Sequence, residues 1–182
     1  NNVVLIGAFL GLGLGVALGR RWPGLVHFTL PVLLVLSVPL AFSERLGLVH
    51  LVFPDSTILL FGGEIVEARP VVFLRNISIF LGLWLGVVAT FVCGGAPLGH
   101  LFPRLPVLRA YAADLTGSLL GVVGFTAAAW LQAGPAVWLA LGCLPFVWLV
   151  RRWWALAVAA MIIALGQYSV RNAIFAPYNR IV

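Results

Sequence analysis

The chain has 182 residues, of which 63% are hydrophobic and 9% are charged, and its mean hydropathy is +1.13. A water-soluble domain of this size cannot bury that much apolar surface, so the composition excludes a soluble enzyme or binding module. The net charge of +6 is the balance of eleven Arg residues, with no Lys, against five acidic residues, and the Arg residues are scattered singly or in pairs. This pattern argues against nucleic acid as a partner and favours contacts with membrane lipids through their headgroups.

Backbone groups inside a bilayer must be satisfied internally, so only helices or a closed barrel can cross it. Long continuous apolar runs predict helices, and the expected fold class is all-α, a polytopic transmembrane helical bundle with about six spans. The expected location is therefore a membrane, and we expect the bacterial inner membrane. The predicted spans cover residues 3–19, 25–42, 72–94, 112–131, 136–150 and 153–168.

Two segments between the predicted spans need separate interpretation. Residues 45–62 are hydrophobic but are interrupted by Pro54, Asp55 and Ser56, which favours a re-entrant or interfacial element. A hairpin outside the membrane and a seventh crossing stay open. Residues 95–109 are rich in Pro and Arg and predict a loop. With six spans, the Arg residues divide six against five between the two sides, which weakly favours both ends of the sequence outside the cytoplasm.

Glycines recur every four residues in three of the predicted spans. Small residues at this spacing form a groove along one helix face, which lets two helices approach closely in lipid. Helix packing is therefore the expected role, and a cofactor lying in the groove is the alternative. The glycines are Gly7, Gly11, Gly15 and Gly19 in the first span, Gly82 and Gly86 in the third, and Gly117 and Gly121 in the fourth.

The fourth span has an acidic residue near its entrance, which is costly in a membrane. Asp114 shares one helix face with Gly117, Ser118, Gly121 and Gly124, so the carboxylate is expected to point into the bundle. Two roles stay open for it. It either stabilises the start of the helix through free backbone N–H groups, or belongs to a polar site for a substrate, a proton or a lipid headgroup. Thr116 and Ser118 complete that site, and Arg109 is the nearest candidate ion-pair partner.

The sequence contains no recognisable catalytic constellation, metal-ligand spacing or nucleotide motif, so no catalytic residue, metal or cofactor is predicted. Cys93 and Cys143 both lie in predicted spans and are expected to be packing residues rather than a disulfide. His27 is a weak candidate for ligating a pigment or haem and is more simply an interfacial residue.

Four stretches of the chain, in this order, resemble the membrane domain of the membrane-fused spermidine synthase-like proteins. They are NVVLIGAFLGLGLGVALGRR from Asn2, LRAYAADLTGSLLG from Leu108, GPAVWLALG from Gly134 and FAPYNRI from Phe175. The resemblance implies a transmembrane domain over residues 1–174. It also implies that residues 175–182 begin a soluble aminopropyltransferase-type domain, and a tail is the alternative for these residues.

Pro177, Tyr178 and Asn179 would then match the Pro-Tyr-Gln part of a family segment that opens the soluble domain. Asn179 stands where the synthases have a substrate-contacting Gln, and this leaves aminopropyl transfer unassigned.

Three functions stay open at this point. The first is a membrane-anchoring or scaffolding domain of a spermidine synthase-like protein. The second is an accessory or structural subunit of a larger membrane complex, in which the glycine faces contact other membrane helices. The third is a small-molecule or polyamine transporter that uses Asp114.

Overall fold

The structure, a computed structural model, describes residues 2–46, 48, 70–169, 174–175 and 180–181. Within these residues the chain is almost entirely helical. The α-helices are α1 (Asn2–Gly19), α2 (Thr29–Ala41), α3 (Pro70–Leu101), α4 (Val107–Trp130), α5 (Pro135–Val150) and α6 (Trp153–Tyr168). Two 3-10 helices cover Pro23–Phe28 and Phe102–Arg104, and the two-residue strands β1 (Ile174–Phe175) and β2 (Arg180–Ile181) pair antiparallel.

Four segments of the described chain are long and apolar enough to cross a membrane. This confirms the all-α class and indicates a membrane protein. By contrast, α5 and α6 have 16 residues each, which gives a length of about 24 Å. This length is shorter than the hydrocarbon core of a bilayer, which is about 30 Å thick. The four segments are Asn2–Gly19, Pro23–Ala41, Leu74–Arg104 and Val107–Trp130.

The second predicted span is divided into a 3-10 helix and α2. Pro31 lies in the first turn of α2 and has no N–H to donate to the carbonyl of His27, so the α-helical bonding pattern cannot extend back through this point. The helix is therefore irregular at the beginning of the span. Pro39 lies inside the second half of α2, which stays helical.

The third helix is longer than predicted, and the expected loop over residues 95–109 is wrong. α3 continues through Pro97 to Leu101 and is followed by a 3-10 turn. A proline removes one backbone hydrogen bond, and in membrane helices tertiary contacts can compensate for that loss. Here Gly95 and Gly99 pack directly on α1 and hold this part of α3 in place.

α3 is the central helix of the first half of the chain. α1 packs parallel to it, because positions later in α1 meet positions later in α3. α2 packs antiparallel to it, because Thr29 lies near Gly94 whereas Leu36 lies near Gly86. The C-terminal end of α2 and the N-terminal end of α3 therefore lie at the same end of the bundle.

The main cluster of buried apolar side chains lies where α2, α5 and α6 meet. Leu30 of α2, Cys143 of α5 and Ile162 of α6 are at most 1% exposed and belong to one apolar cluster. α5 and α6 form an antiparallel hairpin, closed by Arg151 in the left-handed conformation with φ 50°. Ala155 of α6 is fully buried in the same cluster, where its small side chain allows close helix packing.

α4 stands apart from this bundle. Of its residues only Ala110 and Ala128 are buried, and its ring contact to the bundle joins Phe125 to Trp138 of α5, with ring centroids 5.5 Å apart. Its apolar side chains, such as Leu119 at 63% exposure, lie on the outside of the structure. A 24-residue apolar helix exposed in this way requires lipid or another protein around it.

Candidate functional site

The glycine face of α1 contacts α3 along its whole length. A Cβ built on Gly11 would lie 2.5 Å from a backbone carbonyl oxygen of α3, and the other three glycines of this face are equally close to their partners. Any side chain here would push the helices apart, so these four glycines line a helix–helix contact. The contacts pair Gly7 with Trp84, Gly11 with Val88, Gly15 with Val92 and Gly19 with Ala96.

α3 contributes two glycines of its own to this contact, which the sequence interpretation missed. A Cβ on Gly95 would lie 3.0 Å from the carbonyl oxygen of Leu12, and Gly99 lies against the carbonyl of Val16. Their four-residue spacing is visible in the sequence, but the Pro and Arg content of residues 95–109 favoured a loop there. At the other end, the Trp84 ring N–H donates to the carbonyl oxygen of Val3 at 2.9 Å.

Gly82 and Gly86 lie on a different face of α3, towards α2. A Cβ on Gly86 would come 2.9 Å from a methyl group of Leu36, whereas one on Gly82 would meet nothing within 4 Å. Between them, α2 and α3 leave an open apolar groove of about 440 Å³. Val32, Val35 and Leu83 are among the side chains that line it.

The face of α4 that carries Asp114 does not point into the bundle, and that expectation was wrong. Asp114 is exposed, and a Cβ on Gly117, Gly121 or Gly124 would meet nothing within 4 Å. The helical offsets correctly placed these residues on one face. They gave no information about which neighbour lies against that face, and in the structure α4 makes few contacts with the other helices.

Asp114 is also not at the start of its helix. α4 begins at Val107, about two turns earlier, and has no acidic residue in its first turn. The expected capping role is therefore wrong. Arg109, Thr116 and Ser118 are likewise exposed, and within the described part of the chain Arg109 forms no ion pair with Asp114. Five residues apart on a helix, the two side chains lie on different faces.

Two polar side chains are buried among the described residues, Thr29 and Asn76, and they lie far apart. Thr29 is near Gly94 of α3, whereas Asn76 lies in the first turns of the same helix, about 27 Å away along its axis. The Arg75 guanidinium donates to the side-chain oxygen of Asn76 from Nε at 3.4 Å and from Nη2 at 3.3 Å. Arg75 itself is exposed.

In the described part of the chain, the His and Cys residues belong to no cluster of side chains that could hold a metal ion. His27 is exposed, and its Nδ1 lies 3.1 Å from the carbonyl oxygen of Gly24. Cys93 and Cys143 are buried free thiols, consistent with packing. Pro177, Tyr178 and Asn179, which carry the family resemblance at the C-terminal end, lie outside the described residues, as does most of the segment 45–62.

Comparisons with protein families, with curated proteins and with solved structures find no match to this chain.

Proposed function

We propose that this chain is an integral-membrane domain that anchors or scaffolds, of the kind that precedes the soluble domain in spermidine synthase-like proteins. One observation carries the proposal: the two buried polar side chains of the described helices are about 27 Å apart, so no polar site converges between them. Three other hydroxyls of the described helices are bonded locally. Ser37, Ser78 and Thr90 each donate to the carbonyl oxygen four residues earlier.

The proposed architecture is six spans in the bacterial inner membrane. Since α1 is parallel to α3 and α2 is antiparallel, the chain leaves α2 and enters α3 at the same end of the bundle. A single additional crossing between them would reverse α3 relative to α1. The short helices α5 and α6 can cross if the bilayer thins locally around them. Trp153 and Arg152 at the turn between them are exposed and suited to an interface.

The test of the anchoring proposal begins with membrane fractionation. The expressed chain is expected to remain in the membrane pellet after alkaline carbonate washing, and its release into the supernatant would contradict membrane insertion. The family proposal is tested separately by the reading frame that follows the codon for Val182. A continuing frame that encodes a soluble domain supports it, whereas a stop codon at that point contradicts it.

A second candidate, an accessory subunit of a larger membrane complex, is favoured by α4. Asp114 is an ionisable group on an exposed face of a largely apolar helix, where lipid contact is unfavourable and a polar partner would stabilise it. Next to it, Gly117 and Gly121 leave space for the close approach of another helix. The transport hypothesis gains no comparable support, because Asp114 lies on an outer face rather than in a cleft.

Gly121→Leu separates the subunit hypothesis from simple lipid exposure. A Cβ at this position meets nothing within 4 Å in the described part of the chain, whereas a leucine there would block the close approach of a partner helix. A co-purifying membrane protein that is retained by the wild type and lost with Gly121→Leu supports the subunit hypothesis. Gly142→Leu, at an equally open glycine of α5, is the matched control. Equal partner retention by both variants would contradict a contact through α4.

A further inference from the structure

We propose that the groove between α2 and α3 is a binding site for one anionic phospholipid. In this site an acyl chain lies in the groove and the phosphate contacts Arg75 and Arg45. The inference rests on the membrane location of α2 and α3 and not on what the domain anchors. Its first support is the groove itself, which is apolar and measures about 440 Å³, within the roughly 300–1,000 Å³ typical of ligand clefts.

The groove exists because one helix face carries glycines where its neighbour carries bulky side chains. Gly82 and Gly86 form its floor on α3, and Val32 and Val35 lie on the α2 side. A void beside these side chains would forfeit dispersion contacts, so in a bilayer an apolar chain has to fill it. A hydrocarbon chain matches the apolar lining of the groove.

Arg75 lies on the groove-facing side of α3, at the end where a headgroup would be. Arg75, Ile79, Gly82 and Gly86 recur at helical spacing, so the guanidinium is one turn beyond the groove lining. From Arg75 to Arg104 the chain extends about 44 Å, close to the bilayer thickness of about 40–45 Å with headgroups included. This places Arg75 at the level of lipid phosphates.

The position of Arg75 is held by Asn76, which is 1% exposed and accepts two hydrogen bonds from the guanidinium. A guanidinium has five N–H donors, so donors remain for phosphate oxygens. Arg45 follows the end of α2 at the same end of the bundle, next to Leu46 of the groove lining, and its guanidinium carbon lies 5.9 Å from the Phe42 ring centroid. Among the described residues at this end of the groove, Arg75 and Arg45 outnumber the one acidic residue, Glu44, and the remaining positive charge favours an anionic over a zwitterionic headgroup.

The test measures lipids retained by the full chain after extraction from membranes, by native mass spectrometry with phosphatidylglycerol and phosphatidylcholine of identical acyl chains. The wild type is expected to retain phosphatidylglycerol preferentially. Arg75→Gln should lower that preference by about fivefold. Arg152→Gln, which removes an exposed Arg at the opposite end of the bundle, should leave it unchanged.

The groove is tested by filling it. Gly82→Leu adds a side chain where nothing lies within 4 Å, and Val35→Trp fills the same space from α2, where Val35 is 73% exposed. Both are expected to lose retention of either lipid, whereas Gly142→Leu should behave as the wild type. Wild-type retention by both groove variants would overturn the proposal and show that something else covers this face. An unchanged headgroup preference with Arg75→Gln would also overturn it. Release of the chain from membranes by the alkaline carbonate wash would instead contradict membrane insertion.

Discussion

Gly15 shows how closely two backbones approach in this domain. A Cβ at this position would overlap the carbonyl of Val92 in α3, so Gly15→Ala forces the helices apart. We expect it to lower the free energy of unfolding by about 1–3 kcal/mol, the usual cost of overpacking a well-packed contact. Reversible unfolding in mixed detergent measures the change.

Gly13 provides the control for that substitution. It lies on the exposed side of α1 with nothing within 4 Å of a built Cβ, so alanine there adds helix propensity without a clash. Gly13→Ala should therefore leave stability unchanged or raise it by about 0.5–1 kcal/mol. Equal losses from Gly13→Ala and Gly15→Ala would contradict the α1–α3 contact.

The two cysteines report on packing in the native state. Cys93 and Cys143 are buried, and a buried thiol reacts slowly with maleimide. In mild detergent we expect both to be labelled much more slowly than an introduced thiol in Arg152→Cys, an exposed position at the α5–α6 turn. Labelling of all three thiols at one rate would show that the interior described around Leu30 and Cys143 is not formed.

At the scale of single elements, α4 is expected to contribute little to the stability of the bundle. Gly121 lies on its exposed face with no neighbour within 4 Å. Gly121→Leu should therefore change the free energy of unfolding of the isolated chain by no more than about 0.5 kcal/mol. A loss as large as that of Gly15→Ala, in the same unfolding assay, would show that α4 packs on the bundle.

The sequence predicted the bounds of individual helices better than the packing of each helix against the others. α1, α5 and α6 begin and end within about one residue of the apolar runs, because Arg and Pro residues mark those boundaries clearly. The end of α3 was not predictable in this way, since Gly95 and Gly99 keep the helix in contact with α1 despite Pro97. The surroundings of Asp114 could not be predicted either, because periodicity shows which residues share a face but not what lies opposite.

At the scale of the whole molecule, the helix directions bring the Arg-rich turns together. The C-terminal ends of α1 and α3 lie at one end of the bundle, with Arg20, Arg21 and Arg104 near them. If α4, α5 and α6 each cross the membrane, Arg109 and the Arg151–Arg152 turn lie at that same end. Clusters of Arg in short turns are typical of the cytoplasmic side.

The proposal of six spans is tested most directly by side-specific labelling of single-cysteine variants in sealed membrane vesicles, with Cys93 and Cys143 replaced. Arg21→Cys, Arg109→Cys and Arg152→Cys should all be labelled from the cytoplasmic side. Leu131→Cys and Ser169→Cys, at the C-terminal ends of α4 and α6, should be labelled from the opposite side. Labelling of Arg152→Cys and Ser169→Cys from one and the same side would contradict the account, because α6 would then not cross the membrane.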